Sequence, residues 1–246
     1  IGLPWHVHPD RDQEWFEKET KNMSRRQIAQ ELECNFNMSG ETVFHPEDMQ
    51  LIEQGLCEPK YKTAFDRNLW IWEEFQPGAT YIISADVSRG DAKDYSTFHV
   101  FNIKNSEIVA EYQGKPTPDV FAEILCQAGK EYGECMLVVE NNSVGWGVLT
   151  RLEDLEYGNL YYSRKSSHEH VEPYLSENAG VVPGFTTSSK TRPLTISKLE
   201  ELIRNKLITI KSKRLFNEMK TFIWNNGRPQ AMKKHNDDLI MACAIG

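Results

Sequence analysis

The 246-residue sequence predicts an α/β fold: a mixed sheet flanked by helices, with a small helical segment at its N-terminal end. Three observations predict it. Runs rich in β-branched and aromatic residues follow one another at 81–86, 97–103 and 108–113, joined by a Gly90 loop and an Asn105-Ser106 turn, as in an antiparallel meander. Helical patterns then alternate with short apolar strands at 136–140 and 159–161, and such crossovers set the later strands parallel to the first. A content of 39% hydrophobic and 26% charged residues suffices for a sizeable core.

Residues 1–60 read as a separate piece. It carries helical patterns at 10–22, with Trp15 and Phe16, and at 24–33, with Ile28 and Leu32. Their apolar faces are narrow, so both are expected to pack on something else. Pro59 and Gln76-Pro77-Gly78 punctuate the approach to the strands. Residues 68–72 alternate like a strand, with Trp70 and Trp72 expected to pack rather than stack on bases. After the meander come a helix at 118–132, the strand at 136–140, a helix at 145–153 and the short strand at 159–161. A polar stretch at 163–189 reads as one long loop. Beyond it lie a helix at 193–205, a strand at 207–210, a helix at 215–223 and a last helix opening at Asp237, which breaks off at Gly246 as in an excised piece.

Several function classes find no support. No run of about 18 apolar residues exists for a membrane span. The opening Ile1-Gly2-Leu3-Pro4-Trp5-His6 lacks the basic-then-apolar plan of a signal peptide, so an intracellular setting is expected. Cys34, Cys57, Cys126, Cys135 and Cys243 are scattered, with no Cys-x-x-Cys pair, and read as reduced thiols. The pairs His6/His8 and His168/His170 lack a third ligand at zinc spacing. Residues 184–191 approach a phosphate-binding loop, but Ser189 stands where glycine is required and no buried strand precedes Gly184.

Charge is unevenly placed. Between Lys190 and Lys234 twelve Lys/Arg face three Asp/Glu, whereas residues 1–189 carry a net −15. A basic block beside an acidic cluster suits a polyanion held by its phosphates. Some of those lysines are equally explained as the solvated face of an amphipathic helix.

Acidic residues stand where apolar strands or helices begin or end. Asp86 follows Tyr81-Ile82-Ile83-Ser84-Ala85, Glu140 follows Met136-Leu137-Val138-Val139, and Asp237-Asp238 open Leu239-Ile240-Met241-Ala242. Capping would explain Asp86 or Glu140 alone, or one of the paired aspartates, and less easily both. Converging, these carboxylates would repel one another unless divalent cations bridged them, which is how a two-metal phosphodiester-cleaving site is built. Asp94 is a weaker candidate, as a strand cap or an outer group.

These residues, together with 8–15 and 30–36, resemble the nuclease domain of the large terminase subunit of tailed bacteriophages, especially the T4-like group. The resemblance covers nearly the whole chain. It implies a ribonuclease H-like fold and an endonuclease that cuts concatemeric viral DNA during genome packaging. It implies catalytic, metal-binding roles for Asp86, Glu140 and Asp237 or Asp238, with two Mg²⁺ ions that Mn²⁺ can replace. His235 stands one place further back than in the family's usual His-Asp-Asp, because Asn236 intervenes. DNA contacts are expected from Lys190, Arg192, Lys198, Lys211, Lys213 and Arg214. Residues 1–60 would adjoin an ATPase motor and 61–246 form the nuclease domain. The implied partners are double-stranded DNA, that motor, the portal protein and the small terminase subunit, with no membrane, in the host cytoplasm during virion assembly. Two rivals share the acids: another ribonuclease H-like enzyme, such as a junction resolvase or transposase, and a non-catalytic docking module for DNA or the portal.

Overall fold

The computed structural model describes residues 42–90, 93–164 and 181–246, with Val7, residues 11–21, Met23 and Ile28 before them. A six-stranded sheet runs in the order β1 (Tyr61–Thr63), β2 (Leu69–Ile71), β5 (Glu107–Gly114), β4 (Ser96–Asn102), β3 (Tyr81–Asp86), β6 (Met136–Val139). β3, β4 and β5 form the expected meander, and β6 lies parallel to β3, pairing Ile82 with Met136 through Ala85 with Val139. Parallel pairing aligns the carboxyl ends of β3 and β6, so Asp86 and Glu140 emerge side by side, tied by the Glu140 N–H donating to the Ala85 carbonyl at 2.9 Å.

Both faces of the sheet are covered. On one, α3 (Pro118–Glu131) and α4 (Gly145–Asp154) bury Phe121, Leu125, Leu149 and Leu152 against Ile83, Phe98, Val100 and Leu137. On the other, α5 (Thr191–Arg204), α6 (Lys213–Lys220) and α7 (Asp238–Ile245) enclose Ile196, Leu199, Leu215, Met219, Leu239 and Ile240. Sheet side chains also bond the carbonyls of α7: Ser84 Oγ donates to Ala242, Thr97 Oγ1 to Asp238 and the His99 Nε2–H to Leu239. Alternation turns these three polar groups away from the α3/α4 face, where a helix carbonyl satisfies each of them.

Only part of the N-terminal stretch is among the described residues. α1 (Gln13–Thr20), within the pattern at 10–22, buries no residue. The pattern at 24–33 lies, apart from Ile28, outside the described residues, as do Cys34 and both histidine pairs. A further helix, α2 (Pro46–Gly55), starts with Pro46 in its first turn, where the missing N–H costs nothing. Residues 42–57 are knitted into the second core. The Val43 N–H donates to Phe222 at 2.9 Å, Phe44 stacks on Phe222, and the Cys57 carbonyl accepts from Trp72 Nε1.

Near the C-terminal end, residues 207–210 form no strand; only Thr209 bridges to Glu107. The helix expected to 223 stops at Lys220, and β9 (Phe222–Asn225) turns back into β10 (Arg228–Ala231). Asn226 and Gly227 both have positive φ, 48° and 82°, as a two-residue hairpin turn requires. The stretch at 163–189 is not one loop: β7 (Tyr162–Arg164) pairs with β8 (Val181–Pro183), and residues 165–180 are outside the described set. The described cysteines are free, and no helix among the described residues is long and apolar enough to cross a membrane.

A buried ionic network joins the sheet to α6. Arg214 Nε donates to Glu111 Oε1 at 2.7 Å, its Nη2 bonds the Glu111 and Asn68 carbonyls, and its guanidinium lies 3.8 Å from the Trp70 ring centre. Ser212 donates to the same Glu111 oxygen at 2.7 Å. The Glu111 side chain is fully buried, so removing its cation strands a charge. Arg214→Ala is expected to lower the unfolding free energy by about 3–5 kcal/mol in urea titrations, because the lost ion pair is internal.

Candidate active site

Asp86, Asp94, Asp237 and Asp238 line one open cleft of about 540 Å³ with Ser88, Arg89, Val144 and Arg192. Glu140 stands close enough to act on the Asp86 carboxyl. Asp86, Glu140 and the aspartate pair, from three separate segments, thus meet at one edge of the sheet. Burial, the neighbouring Glu140, and the charges of Asp238 and Asp237 hold the Asp86 carboxyl well above the ordinary aspartate range. Asp238 is also raised, chiefly by burial and further by Asp94 and Asp237, against the bonds it accepts from the Tyr95 N–H at 3.0 Å and Asn236 Nδ2 at 2.9 Å.

Two glycines fix the strand end that carries Glu140. A Cβ on Gly145 would stand 1.8 Å from the Glu140 carbonyl oxygen, so only glycine lets the start of α4 pack there. Gly184 has φ +79°, and a Cβ there would meet the Val139 carbonyl at 2.5 Å. The segment that Gly184 begins continues the sheet beyond β6: the Phe185 N–H donates to Val139, and its carbonyl accepts from Asn141. Asn142 Nδ2 then bonds both Glu140 Oε1, at 3.1 Å, and the Thr187 carbonyl, at 2.7 Å.

The paired aspartates differ. Asp237 is the N-cap of α7, half-buried, and its Oδ2 accepts from Arg192 Nη2 at 2.5 Å and from the Ala231 N–H at 3.1 Å. Asp238, 8% exposed, ties the loop at Tyr95 to the helix start. Among the described residues no three of His, Cys, Asp and Glu stand grouped as a metal cage. The donor chemistry nevertheless fits a hard divalent ion: all oxygen, with negative charge crowded around Asp86.

The expected basic contacts divide. Arg192 faces the cleft, and exposed Lys190 directly precedes α5. Lys211 and Arg214, by contrast, have internal partners: Lys211 Nζ pairs with Glu73 and Glu107, and Arg214 with Glu111. Lys198 pairs with Glu201 and borders a different groove, beside Ile82 at the opposite end of β3, while Lys213 is exposed at the start of α6. Arg89 lines the cleft and was not among the expected contacts; its place three residues after Asp86, before Gly90, was the available signal. His235 does not line the cleft.

No family model matches the chain, and no curated protein matches it in sequence. Solved structures do match in fold. The large terminase nuclease of thermophilic phage G20c with bound magnesium aligns at TM-score 0.60 and 18% identity, over 80% of this chain and 94% of that one. The same nuclease has been solved with cobalt and with zinc bound. The large terminase nuclease domain of Thermus phage P74-26 aligns at TM-score 0.56 and 18% identity, covering 80% and 92%. The large terminase of a further thermophilic bacteriophage, also solved in complex with ATP-γ-S, aligns at TM-score 0.61 and 12% identity over all of this chain and 54% of its own. The chain therefore has the ribonuclease H-like fold of terminase nucleases. The matched proteins come from thermophilic phages and carry no support for the T4-like group in particular.

The crowded carboxylates have a consequence that pH reveals. A carboxyl raised above its unfolded value keeps its proton in the folded state where the unfolded chain has already released it, so stability falls as pH rises through that window. In EDTA, Asp86→Asn should melt above the parent protein at pH 8, each kcal/mol of stability being worth about 2–4 °C for this size. The difference should close towards pH 4, and thermal unfolding monitored by circular dichroism at both values checks it.

Proposed function

We propose that this chain is a divalent-metal-dependent DNA endonuclease domain of the large terminase type, cutting double-stranded viral DNA during packaging. One observation carries the reading: Asp86, Glu140 and the Asp237-Asp238 pair converge at one sheet edge with Asp86 under the combined repulsion of the others. On a fold shared with terminase nucleases, that is a site asking for cations. Asp86 and Glu140 would hold a divalent ion, Mg²⁺ or Mn²⁺, with one of the paired aspartates and room for a second ion. When bound, such ions supply Lewis-acid activation of water and stabilisation of the leaving 3′ oxygen.

Of the pair, Asp237 is our choice for the third ligand. Asp238 is engaged by the Tyr95 N–H and Asn236, and turning it would cut the loop loose from α7. Asp237 is the more exposed, and its Arg192 partner is itself half-exposed and borders the cleft. Arg192 can move from Asp237 to a phosphate, coupling DNA entry to release of the carboxylate. Arg89 and Lys190 would hold the backbone beside it, contacts that fix position without reading sequence. An ATPase motor elsewhere in the same polypeptide, the portal and the small subunit are the partners this reading brings with it.

Supercoiled plasmid incubated with Mg²⁺, with Mn²⁺ and with EDTA tests the proposal. Nicking in either metal, absent in EDTA and lost in Asp86→Asn and Glu140→Ala with DNA binding retained, is expected. Undiminished cutting by Glu140→Ala would remove the cleft from the chemistry. Preference for linear duplex over four-way junctions distinguishes the terminase reading from a resolvase. Arg89→Ala with Lys190→Ala should reduce the slope of log K against log salt by about 2, at roughly 0.9 per phosphate contact, whereas Lys213→Ala, away from the cleft, should change it less.

A further inference from the structure

A helix that opens with two aspartates ordinarily uses one of them as its cap, the N-cap oxygen accepting from the second or third N–H of the helix. In α7 those donors are Leu239 and Ile240, and Asp237 at the N-cap makes no capping bond. Both N–H groups go instead to one oxygen of Glu218, at 2.9 and 3.3 Å. Glu218 belongs to α6, is 8% exposed, and accepts Gln113 Nε2 on its other oxygen at 3.1 Å. The charged groups facing it, Asp238 and Glu111, are both acidic. A buried carboxylate facing Asp238 and Glu111 is an expensive way to satisfy two amides that Asp237 could satisfy itself. What the arrangement secures is the freedom of the aspartates: Asp237 turns to Arg192 and the cleft, and Asp238 to Tyr95.

We propose that Glu218 is a positioning residue that caps α7 in place of Asp237 and so keeps the Asp237 carboxylate at the cleft. The inference rests on the nuclease reading of that cleft. It assigns an indirect role to the one acid of the 213–220 helix, which touches neither substrate nor ion.

Glu218→Ala and Glu218→Gln test it in three measurements: calorimetric Mn²⁺ affinity, kcat and KM on plasmid DNA, and a crystal structure of each variant. In Glu218→Ala, Asp237 is expected to fold back onto the Leu239 and Ile240 amides. Mn²⁺ affinity and kcat should each fall about 10- to 100-fold, the usual cost of losing an outer-shell partner, with KM for DNA within twofold. Glu218→Gln keeps an acceptor oxygen and should restore both to within about threefold of the parent. A folded Glu218→Ala protein that binds Mn²⁺ and cuts like the parent overturns the proposal, and so does a glutamine variant as impaired as the alanine one. Should the alanine variant not fold, Glu218→Asp retains the carboxyl group without the reach; the same losses support positioning, and parental behaviour sinks it. If the parent protein neither binds Mn²⁺ nor cuts, the nuclease reading fails separately. The crystal structures then still decide the cap, since Asp237 remaining on Arg192 in a variant without Glu218 would refute it.

Discussion

Everything at the cleft edge of this molecule answers to the mutual repulsion of four carboxylates. Like charges gathered in a partly dry cleft can share it only by holding a proton, borrowing a donor or binding a cation. The structure uses the first two. Burial and the neighbouring Glu140 raise the proton affinity of Asp86, Asp238 takes the Tyr95 N–H and Asn236, and Asp237 takes Arg192. A fold that merely sought stability would place apolar or neutral groups there.

Holding such a cluster in place requires a rigid support, and the sheet provides it from two sides. Parallel pairing of β3 with β6 sets Asp86 beside Glu140, and the glycines at 145 and 184 let α4 and the segment after β8 close tightly on the strand end. On the opposite face Ser84, Thr97 and His99 hold the carbonyls of α7, so the helix bearing the aspartates is fixed to the same strands that carry Asp86. The cleft is thereby referenced to one sheet even though its acids span residues 86 to 238.

Much of this could be read from the chain. A carboxylate directly after an apolar strand announces itself, and the meander, the crossover and the helices expected from 118, 145 and 193 follow from local periodicity. Two elements escaped although their signals were present. Asn226-Gly227 marks a hairpin, but Phe222-Ile223-Trp224 runs on from an amphipathic helix without a break, and the helical period absorbed it. Pro46 marks the start of α2, in a segment where weak patterns on either side drew attention away. What lay beyond sequence reasoning was pairing at a distance. Glu218 looks like a surface acid in a basic block until α7 is packed on it, and nothing local links residue 218 to 239 and 240.

The same limit governs the basic block. Counting charges along the chain treats Lys190 to Lys234 as one positive surface, yet Lys211 and Arg214 face Glu73, Glu107 and Glu111, acids that stand far earlier in the sequence. The Arg214–Glu111 pair neutralises charge inside the protein and stabilises the packing of α6 on the sheet, and the part-exposed Lys211 pairs neutralise charge beside it. Arg192 is engaged locally too, but by an acid of the cleft. A net positive stretch therefore becomes three different things once folded: internal clamps, a counter-charge within the site, and a smaller set of exposed cations free to meet a polyanion. Only the last can generate salt-dependent attraction, so the electrostatic reach of the molecule is set by Arg89, Lys190 and Lys213 and their exposed neighbours rather than by the block's formal charge.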